Sequence, residues 1–146
     1  MRKDTPLLLD WKTFANAPQT FHNTPCCWSI YMCGLNLAHM RQIGLPEINR
    51  MAKEKSSLLY DFIDNSNYYT NGIEKQYRSL LNIPFRVKEN EDLEKKFIAE
   101  ATASNLTDLK GHRSVGGCRA SIYNAMPLDG VKALINFMEE FKKANP

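Results

Sequence analysis

The stretch Lys110-Gly111-His112-Arg113-Ser114-Val115-Gly116-Gly117-Cys118-Arg119 decides how the chain folds around its chemistry. It is rich in glycine, it carries an imidazole and two guanidinium groups, and strand-like segments flank it at about residues 106–110 and 119–124. Glycine lets backbone N–H groups approach a ligand closely, and arginine forms paired hydrogen bonds with carboxylate or phosphate. The stretch therefore predicts an anion site, although a tight turn with two solvated arginines fits the same local pattern.

Helix and strand patterns extend on both sides of this stretch. Residues 81–87 alternate apolar and polar side chains, as in a half-buried strand, and Pro84 favours an edge or a bulge because it cannot donate to a neighbouring strand. Capping residues and apolar spacing predict helices over about residues 25–42, 46–64, 91–105 and 127–143. The order α-α-β-β-α-β-β-α predicts an α/β (α+β) fold in which helices cover a small mixed or antiparallel sheet.

Length and composition exclude several classes of protein. A chain of 146 residues has the size of one ordinary domain. With 43% hydrophobic and 24% charged residues it can bury enough apolar surface to fold, which excludes disorder for most of its length. The net charge of +3 comes from scattered basic residues, so a tail dedicated to nucleic acid is not expected.

Membrane insertion and export are not expected either. No charged residue lies within residues 13–40, but the apolar part, residues 26–40, is shorter than the ~20 residues of a spanning helix and contains Asn36 and His39. We interpret it as a buried or interfacial helix. The apolar run Leu7–Leu9 is too short for the core of a signal peptide, so secretion is not expected.

The cysteines do not predict a metal site. Cys26 and Cys27 are adjacent, Cys33 follows six residues after Cys27, and Cys118 lies far along the chain. These separations do not match the usual spacings of zinc ligands, and without an export signal the thiols are expected to stay reduced.

A second candidate anion site lies at the start of the first predicted helix. Asn23 and Thr24 precede Pro25, and a helix N-terminus favours phosphate through its unpaired amides and its dipole. An ordinary helix cap, with Thr24 at the N-cap and Pro25 at the first helical position, is the simpler interpretation of the same residues. His22 and His39 have no cysteine or carboxylate at a diagnostic spacing, and we interpret both as packing residues.

Four motifs follow one another in a specific order along the chain. They are His22-Asn23-Thr24-Pro25, the segment from Arg78 to Phe85, the segment from Lys110 to Ala125, and the segment from Gly130 to Leu134. Together they closely resemble the C-terminal part of the phosphoserine aminotransferases, which are class-V, fold-type I enzymes. The resemblance covers nearly the whole chain, from about Arg2 to Lys143.

The resemblance implies a pyridoxal 5'-phosphate enzyme with the aspartate-aminotransferase fold, and the intact enzyme would be a cytoplasmic homodimer. Such an enzyme converts 3-phosphohydroxypyruvate and glutamate into phosphoserine and 2-oxoglutarate. By the family pattern, Arg119 holds the substrate α-carboxylate, and His112 and Arg113 help to hold the substrate phosphate. Asn23 and Thr24 reach across the dimer to the cofactor phosphate of the neighbouring subunit.

One departure from the family pattern concerns the catalytic residue. The family's Schiff-base lysine lies in a Gln-Lys-Asn context upstream of Asn-Thr-Pro, and no lysine here has that setting. The resemblance therefore implies that residues 1–24 come from the end of the cofactor domain and that residues 25–146 form the C-terminal substrate-gripping domain. We expect no catalytic residue in this chain, and we expect the chain to be inactive alone.

Two other functions compete with this interpretation. A free-standing binding module could bind phosphorylated small acids through His112, Arg113 and Arg119 without catalysing a reaction. An RNA-binding α/β sandwich would need aromatic and basic side chains together on an open sheet face, and in the predicted strand Phe85 and Arg86 point to opposite faces. We therefore expect small-molecule partners and no nucleic acid.

Overall fold

The structure is a computed structural model that describes residues 2, 4–18 and 21–146. It divides into two compact units, Met1–Gln42 and Ile43–Pro146. Each unit is described separately below. The functional division predicted between residues 24 and 25 concerns the domains of a larger enzyme and stays a prediction.

The first unit is mainly helical. A 3-10 turn at Leu7–Leu9 leads into the short helix α1, Trp11–Ala15, where the Asp10 carboxylate accepts a hydrogen bond from the Lys12 N–H at 2.9 Å. The long helix α2 runs over Cys27–Ile43. No described residue of Met1–Gln42 is buried, so the described part of this unit has no hydrophobic core.

Helix α2 confirms the predicted helix over residues 25–42, but it begins two residues later than expected. The Cys27 N–H donates to the Pro25 carbonyl at 2.9 Å, which makes a tight turn, and the regular pattern begins with the Ile30 N–H on the Cys26 carbonyl at 3.1 Å. Thr24 is therefore not the N-cap residue of α2. This corrects the predicted assignment of Thr24 and Pro25 to the cap and the first helical position.

The second unit contains a three-stranded sheet and three helices. Its elements, in chain order, are α3 Leu45–Asp64, β1 Tyr69–Thr70, β2 Asn82–Val87, α4 Glu91–Ala103, β3 Cys118–Ser121 and α5 Leu128–Ala144. The sheet order is β1-β2-β3, and both pairs of strands are antiparallel. This arrangement confirms the predicted α/β fold with a small sheet covered by helices. No helix in the described ranges is long and apolar enough to cross a membrane.

The core lies on one face of this sheet. Alternate residues of β2 point inward, and helices α3, α4 and α5 pack against them. Tyr69 of β1 lies in the same core, where its hydroxyl donates to the Met138 carbonyl at 2.7 Å. The buried side chains of β2 and the helices are Leu59, Ile63, Ile83, Phe85, Val87, Phe97, Ala101, Val131, Leu134, Met138 and Phe141.

The predicted strand over residues 106–110 was wrong. Of that segment only Lys110 pairs, through a single antiparallel bridge with Cys118. Asn105 and Asp108 have φ of 62° and 60°, and left-handed residues interrupt the extended backbone that a strand needs. The following strand, β3, ends at Ser121 instead of residue 124, because the chain turns there and the Met126 N–H donates to the Tyr123 carbonyl.

Candidate functional site

The glycine-rich stretch forms a closed turn between the Lys110 bridge and β3. The N–H groups of Val115 and Gly116 both donate to the His112 carbonyl, at 2.9 and 2.8 Å. The Gly111 N–H donates to the Gly117 carbonyl at 2.9 Å and closes the base of the turn. The turn thus holds His112 at a defined position next to the sheet.

Arg86 explains why position 117 needs glycine. Gly117 has φ of 65°, and a Cβ atom there would lie 2.6 Å from Cδ of Arg86 and 2.9 Å from the carbonyl oxygen of Phe85. The Arg86 side chain therefore lies across the backbone of Gly117. Its Nε donates at 2.6 Å to Oε1 of Glu94, whose side chain is only 5% exposed. This ion pair holds the Arg86 stem against the glycine turn.

His112 is exposed, and its ring has a fixed partner within the turn. Its Nδ1 lies 2.7 Å from the Ser114 hydroxyl oxygen and 3.3 Å from the Ser114 N–H, which donates to it. A neutral imidazole that accepts at Nδ1 carries its proton at Nε2. His112 can therefore donate from Nε2 to an anion. Arg113, the next residue, is also exposed.

Arg119 lies on the face of β3 that points away from the core. It pairs with Pro84 of β2, and its N–H donates to the Leu109 carbonyl at 2.8 Å. The Nε atom of Arg119 is buried and has no hydrogen-bond partner among the described residues. Because an unsatisfied buried donor costs about 1–3 kcal/mol, this guanidinium is a strong candidate for binding an anion.

A cavity of about 320 Å³ brings Arg119 and His112 together. Helix α3 contributes Tyr60 to its wall, and the hydroxyl of Tyr60 donates to the Ser79 carbonyl at 3.0 Å. Burial raises the pKa of Tyr60 above its usual range, so the phenol stays protonated. The other lining residues are Ile73, Tyr77, Ser79, Asn82, Pro84, Gly111, Val115, Gly116 and Cys118.

The predicted site residues do not all line this cavity. Arg113 is on the same turn but is not one of its lining residues. Asn23 and Thr24 are exposed and belong to the first unit. A larger open groove of about 940 Å³ runs between α3 and α5, and it contains none of the predicted site residues.

Two contacts that support the region around the site were not predicted from the sequence. Lys55 is 2% exposed, and its ammonium group donates to the carbonyls of Tyr123 and Met126, at 2.7 and 2.8 Å, in the segment that follows β3. Burial lowers the pKa of Lys55. Its spacing from the buried residues Ala52 and Leu59, three and four positions away, was a signal that it faces inward.

The second missed contact joins α3 to the chain in front of β2. Both terminal nitrogens of Arg78 donate to the Asp64 carboxylate at 2.8 Å. The guanidinium carbon also lies 4.6 Å from the centre of the Tyr60 ring. The hydrogen bonds from Arg78 lower the pKa of Asp64. Because Arg78 also contacts the ring of Tyr60, the pair holds one wall of the cavity in place.

Among the described residues no group of three or more His, Cys, Asp or Glu side chains could hold a metal ion. Cys26, Cys27 and Cys33 are exposed free thiols, and Cys118 is a buried free thiol. Burial raises the pKa of Cys118 to about 12, so this thiol is unreactive at neutral pH.

Comparison with known proteins identifies the family. The family model described as aminotransferase class-V matches residues 2–134. The chain belongs to the class-V aminotransferase family. Members of this family use pyridoxal phosphate to transfer amino groups.

Several relatives of this aminotransferase chain are phosphoserine aminotransferases. The protein from Desulfosudis oleivorans is 46% identical over 142 residues, which cover 96% of this chain and 39% of that protein. The chloroplastic phosphoserine aminotransferase 1 of Arabidopsis thaliana is 47% identical over 140 residues, which cover 94% of this chain and 32% of that protein.

Solved structures agree with the sequence relatives. The phosphoserine aminotransferase from Bacillus circulans subsp. alkalophilus matches with a TM-score of 0.88 and 39% identity, over 99% of this chain and 40% of that one. A pyridoxal-phosphate-bound phosphoserine aminotransferase from Trichomonas vaginalis matches with a TM-score of 0.83 and 32% identity, over 94% of this chain and 39% of that one. The chain therefore spans about a third to two fifths of the length of these relatives.

Proposed function

We propose that this chain is the substrate-gripping part of a phosphoserine aminotransferase. The intact enzyme would convert 3-phosphohydroxypyruvate and glutamate into phosphoserine and 2-oxoglutarate. One observation supports this most directly: His112 and Arg119 line one cavity, and Arg119 carries a buried donor that has no partner among the described residues. The proposal also rests on 46% identity to a phosphoserine aminotransferase.

Arg119 would bind the α-carboxylate of each substrate. Its guanidinium can form two parallel hydrogen bonds with a carboxylate, and the donor that is unsatisfied in the described chain would then be satisfied. Because phosphoserine and glutamate both carry this carboxylate, Arg119 would serve both halves of the reaction.

His112 and Arg113 would bind the group that distinguishes the substrates. In phosphoserine this is a phosphate, which would accept from the protonated Nε2 of His112 and from the guanidinium of Arg113. The closed turn presents both side chains, and the Arg86–Glu94 pair supports that turn. The distance between this turn and Arg119 would then set the length of the substrate.

Asn23 and Thr24 would bind the cofactor phosphate of the neighbouring subunit in a homodimer. Their amide and hydroxyl donors are exposed just in front of α2, a helix of 17 residues, and a phosphate is favoured at such an end. Pyridoxal phosphate, when bound, supplies the carbonyl carbon that carries the amino group between substrates. The homodimer and the cytoplasmic location stay predictions.

The isolated chain would bind substrate without catalysing the reaction. Lys55 is the buried lysine among the described residues, and its ammonium group is held by backbone carbonyls. It is therefore not available as a nucleophile for the cofactor. Adding pyridoxal phosphate to the chain should give no stoichiometric absorbance band that bleaches with glutamate.

A titration followed by NMR tests the binding part of the proposal. Adding phosphoserine to this chain should shift the amide signals of Gly111, Gly116 and Gly117 in a saturable way. Arg119→Ala should weaken this binding by about 1.5–3 kcal/mol, because a charged hydrogen bond is lost. Arg50→Ala, which removes an exposed arginine from α3, should bind like the unmodified chain. If both variants bind equally well, the assignment of Arg119 is wrong.

A non-catalytic module for phosphorylated small acids is the second candidate. It is favoured by the fact that His112, Arg113 and Arg119 all belong to the second unit, so the site needs no other chain to form. The two candidates differ in whether the gene also encodes the lysine-bearing cofactor domain. RNA binding is not supported, because Phe85 is buried in the core while Arg86 lies on the opposite face of β2.

A further inference from the structure

Glu94 is a buried carboxylate that lies outside the cavity of the candidate site. It is 4% exposed, and among the described residues only Lys55 is a second charged side chain that is buried. The Oε1 atom of Glu94 accepts from Nε of Arg86 at 2.6 Å and from the N–H of Val87 at 3.3 Å. A buried ion pair is often no more stable than a well-packed apolar pair of similar volume. The Arg86–Glu94 pair therefore needs an explanation other than stability.

Arg86 lies where the backbone pairing of β2 with β3 ends. The paired register ends at Phe85 and Cys118, so Gly117 lies just outside it. There the Arg86 side chain lies against the glycine turn. A Cβ atom on Gly117 would lie 3.2 Å from Nε of Arg86, and one on Gly116 would lie 3.7 Å from its Nη1. Both glycines have positive φ, and glycine has the least restricted backbone of all residues. The Arg86 side chain thus confines the part of the turn that is otherwise freest to move.

The two glycines are hydrogen-bonded to the backbone that carries the imidazole. The Gly116 N–H donates to the His112 carbonyl at 2.8 Å. The Gly117 carbonyl accepts from the Gly111 N–H at 2.9 Å. A shift of either glycine therefore shifts the backbone at His112. A continuous series of contacts thus leads from the buried carboxylate on α4 to the imidazole at the cavity.

We propose that Glu94 is a positioning residue for binding of the substrate phosphate. It acts through Arg86, which holds the glycine turn and with it His112. This inference rests on the proposed function, in which His112 binds that phosphate. Arg119 is held separately, because β3 pairs there with Pro84 of β2. The pair therefore controls the affinity for phosphorylated ligands more than the affinity for α-carboxylates, and it helps to determine which substrate is preferred.

Two other roles for the pair give different expected results. If the charge of Glu94 acted on the ligand directly, it would repel a phosphate, and its removal would strengthen phosphate binding. If the terminal nitrogens of Arg86 contacted the phosphate, only arginine would serve at this position. Lysine separates these cases, because its single ammonium group can pair with the carboxylate but has no further nitrogen beyond that group.

Calorimetric titration of the chain with phosphoserine and with glutamate tests the proposal. Glu94→Gln keeps the shape of the side chain but removes its charge, and it should weaken phosphoserine binding about threefold to tenfold. Arg86→Met should weaken it to a similar extent, whereas Arg86→Lys should stay within about twofold of the unmodified chain. Glutamate binding should change by less than about twofold in each variant, since the carboxylate contact of Arg119 is kept. Glu100→Gln, which breaks an exposed ion pair on the same helix, is the matched control and should bind both ligands normally.

Solvent exchange of the turn amides, measured by NMR without ligand, tests the positioning step by itself. The N–H groups of Val115 and Gly116 both donate to the His112 carbonyl, so their exchange reports whether the turn is held. They should exchange at least about fivefold faster in Glu94→Gln, while the core amides of α3 and α5 stay protected and show that the variant is folded. Arg86→Met should give the same result, so the measurement does not depend on the stability of one variant.

Three results would overturn the proposal. The first is unchanged exchange of the turn amides in folded Glu94→Gln and Arg86→Met. The second is phosphoserine binding that is unchanged or stronger in Glu94→Gln, or equally weakened for phosphoserine and glutamate. The third is Arg86→Lys binding phosphoserine as weakly as Arg86→Met, which would make Arg86 a direct ligand of the phosphate. If the unmodified chain binds neither ligand, the proposed function is wrong, and the exchange rates alone decide whether Glu94 positions the turn.

Discussion

His112 and Arg119 illustrate how the chemistry of this chain depends on single residues. They are seven positions apart in sequence and line the same cavity, one through a turn and the other through a strand. His112 is oriented by its contact with Ser114, and the buried Nε donor of Arg119 has no partner in the part of the chain that the structure describes. We therefore expect substitutions at these two positions to weaken ligand binding by different amounts.

Replacing His112 should affect phosphorylated ligands selectively. We expect His112→Ala to weaken binding of phosphoserine by about 1–2 kcal/mol, because one hydrogen bond to the phosphate is lost. Binding of glutamate, which has no phosphate, should change much less. Calorimetric titration of both ligands measures the difference, and Ser56→Ala, at a buried hydroxyl of α3, is the control. Equal losses for the two ligands would assign His112 a structural role.

The buried thiol of Cys118 should make stability depend on pH. Its pKa is raised from 9.0 to about 12, so the unfolded chain loses this proton first as the pH rises. Below pH 9 the thiol is protonated in both states, and the folded chain keeps its full stability. Between pH 9 and pH 12 the free energy of unfolding should fall, by at most about 1.4 kcal/mol per pH unit. Urea unfolding across this range should show a steeper loss for the unmodified chain than for Cys118→Ala. Cys33→Ala, which removes an exposed thiol, should keep the steep loss.

At the level of elements, the site depends on how β2, β3 and α4 meet. Arg86 leaves β2, crosses Gly117 in front of β3 and bonds to Glu94 on α4. The strand pattern predicted β2 correctly, but the expected edge or bulge at Pro84 was wrong, because β2 is the central strand and Pro84 pairs in register with Arg119 of β3. Strand β1 pairs only with Val87 and Arg86, and the Pro84 carbonyl accepts instead from the side chain of Asn71.

Gly117 should tolerate no side chain. We expect Gly117→Ala to lower the free energy of unfolding by about 2–4 kcal/mol, since its φ is positive and a Cβ atom would collide with Arg86 and with backbone. Gly72→Ala is a matched control, because a Cβ atom there meets nothing within 4 Å, and it should change stability by less than about 0.5 kcal/mol. Chemical denaturation measures both variants. Similar values for the two would show that the turn can move away from Arg86.

At the level of the whole molecule, the two units differ in how they are stabilised. The second unit has a core of aromatic and aliphatic side chains between one sheet and three helices. The first unit has no buried residue among those described. Among the described residues, helix α2 is therefore supported mainly by its own backbone hydrogen bonds, which are marginal for a helix of 17 residues in water.

Hydrogen exchange should separate the two units. Amides of β2, α3 and α5 should exchange only when the second unit unfolds, because their side chains form its core. Amides of α2 should exchange at least about a hundredfold faster. Mass spectrometry of peptides from the isolated chain measures both sets. Equal protection of α2 and β2 would contradict the expected difference in stability.

Local sequence alone determined most helices, the strand β2 and the glycine turn of this protein. Apolar periodicity, capping residues and glycine act over a few neighbouring positions, so they can be read without the fold. Only the tertiary structure decided that Tyr60 of α3 lines the cavity of His112 and Arg119, that Arg86 crosses Gly117, and that Lys55 binds the segment after β3. These contacts join residues that are far apart along the chain, and no local pattern specifies them. The left-handed backbone at Asn105 and Asp108 likewise replaced an expected strand, because strand pairing depends on the neighbouring chain as well as on local propensity.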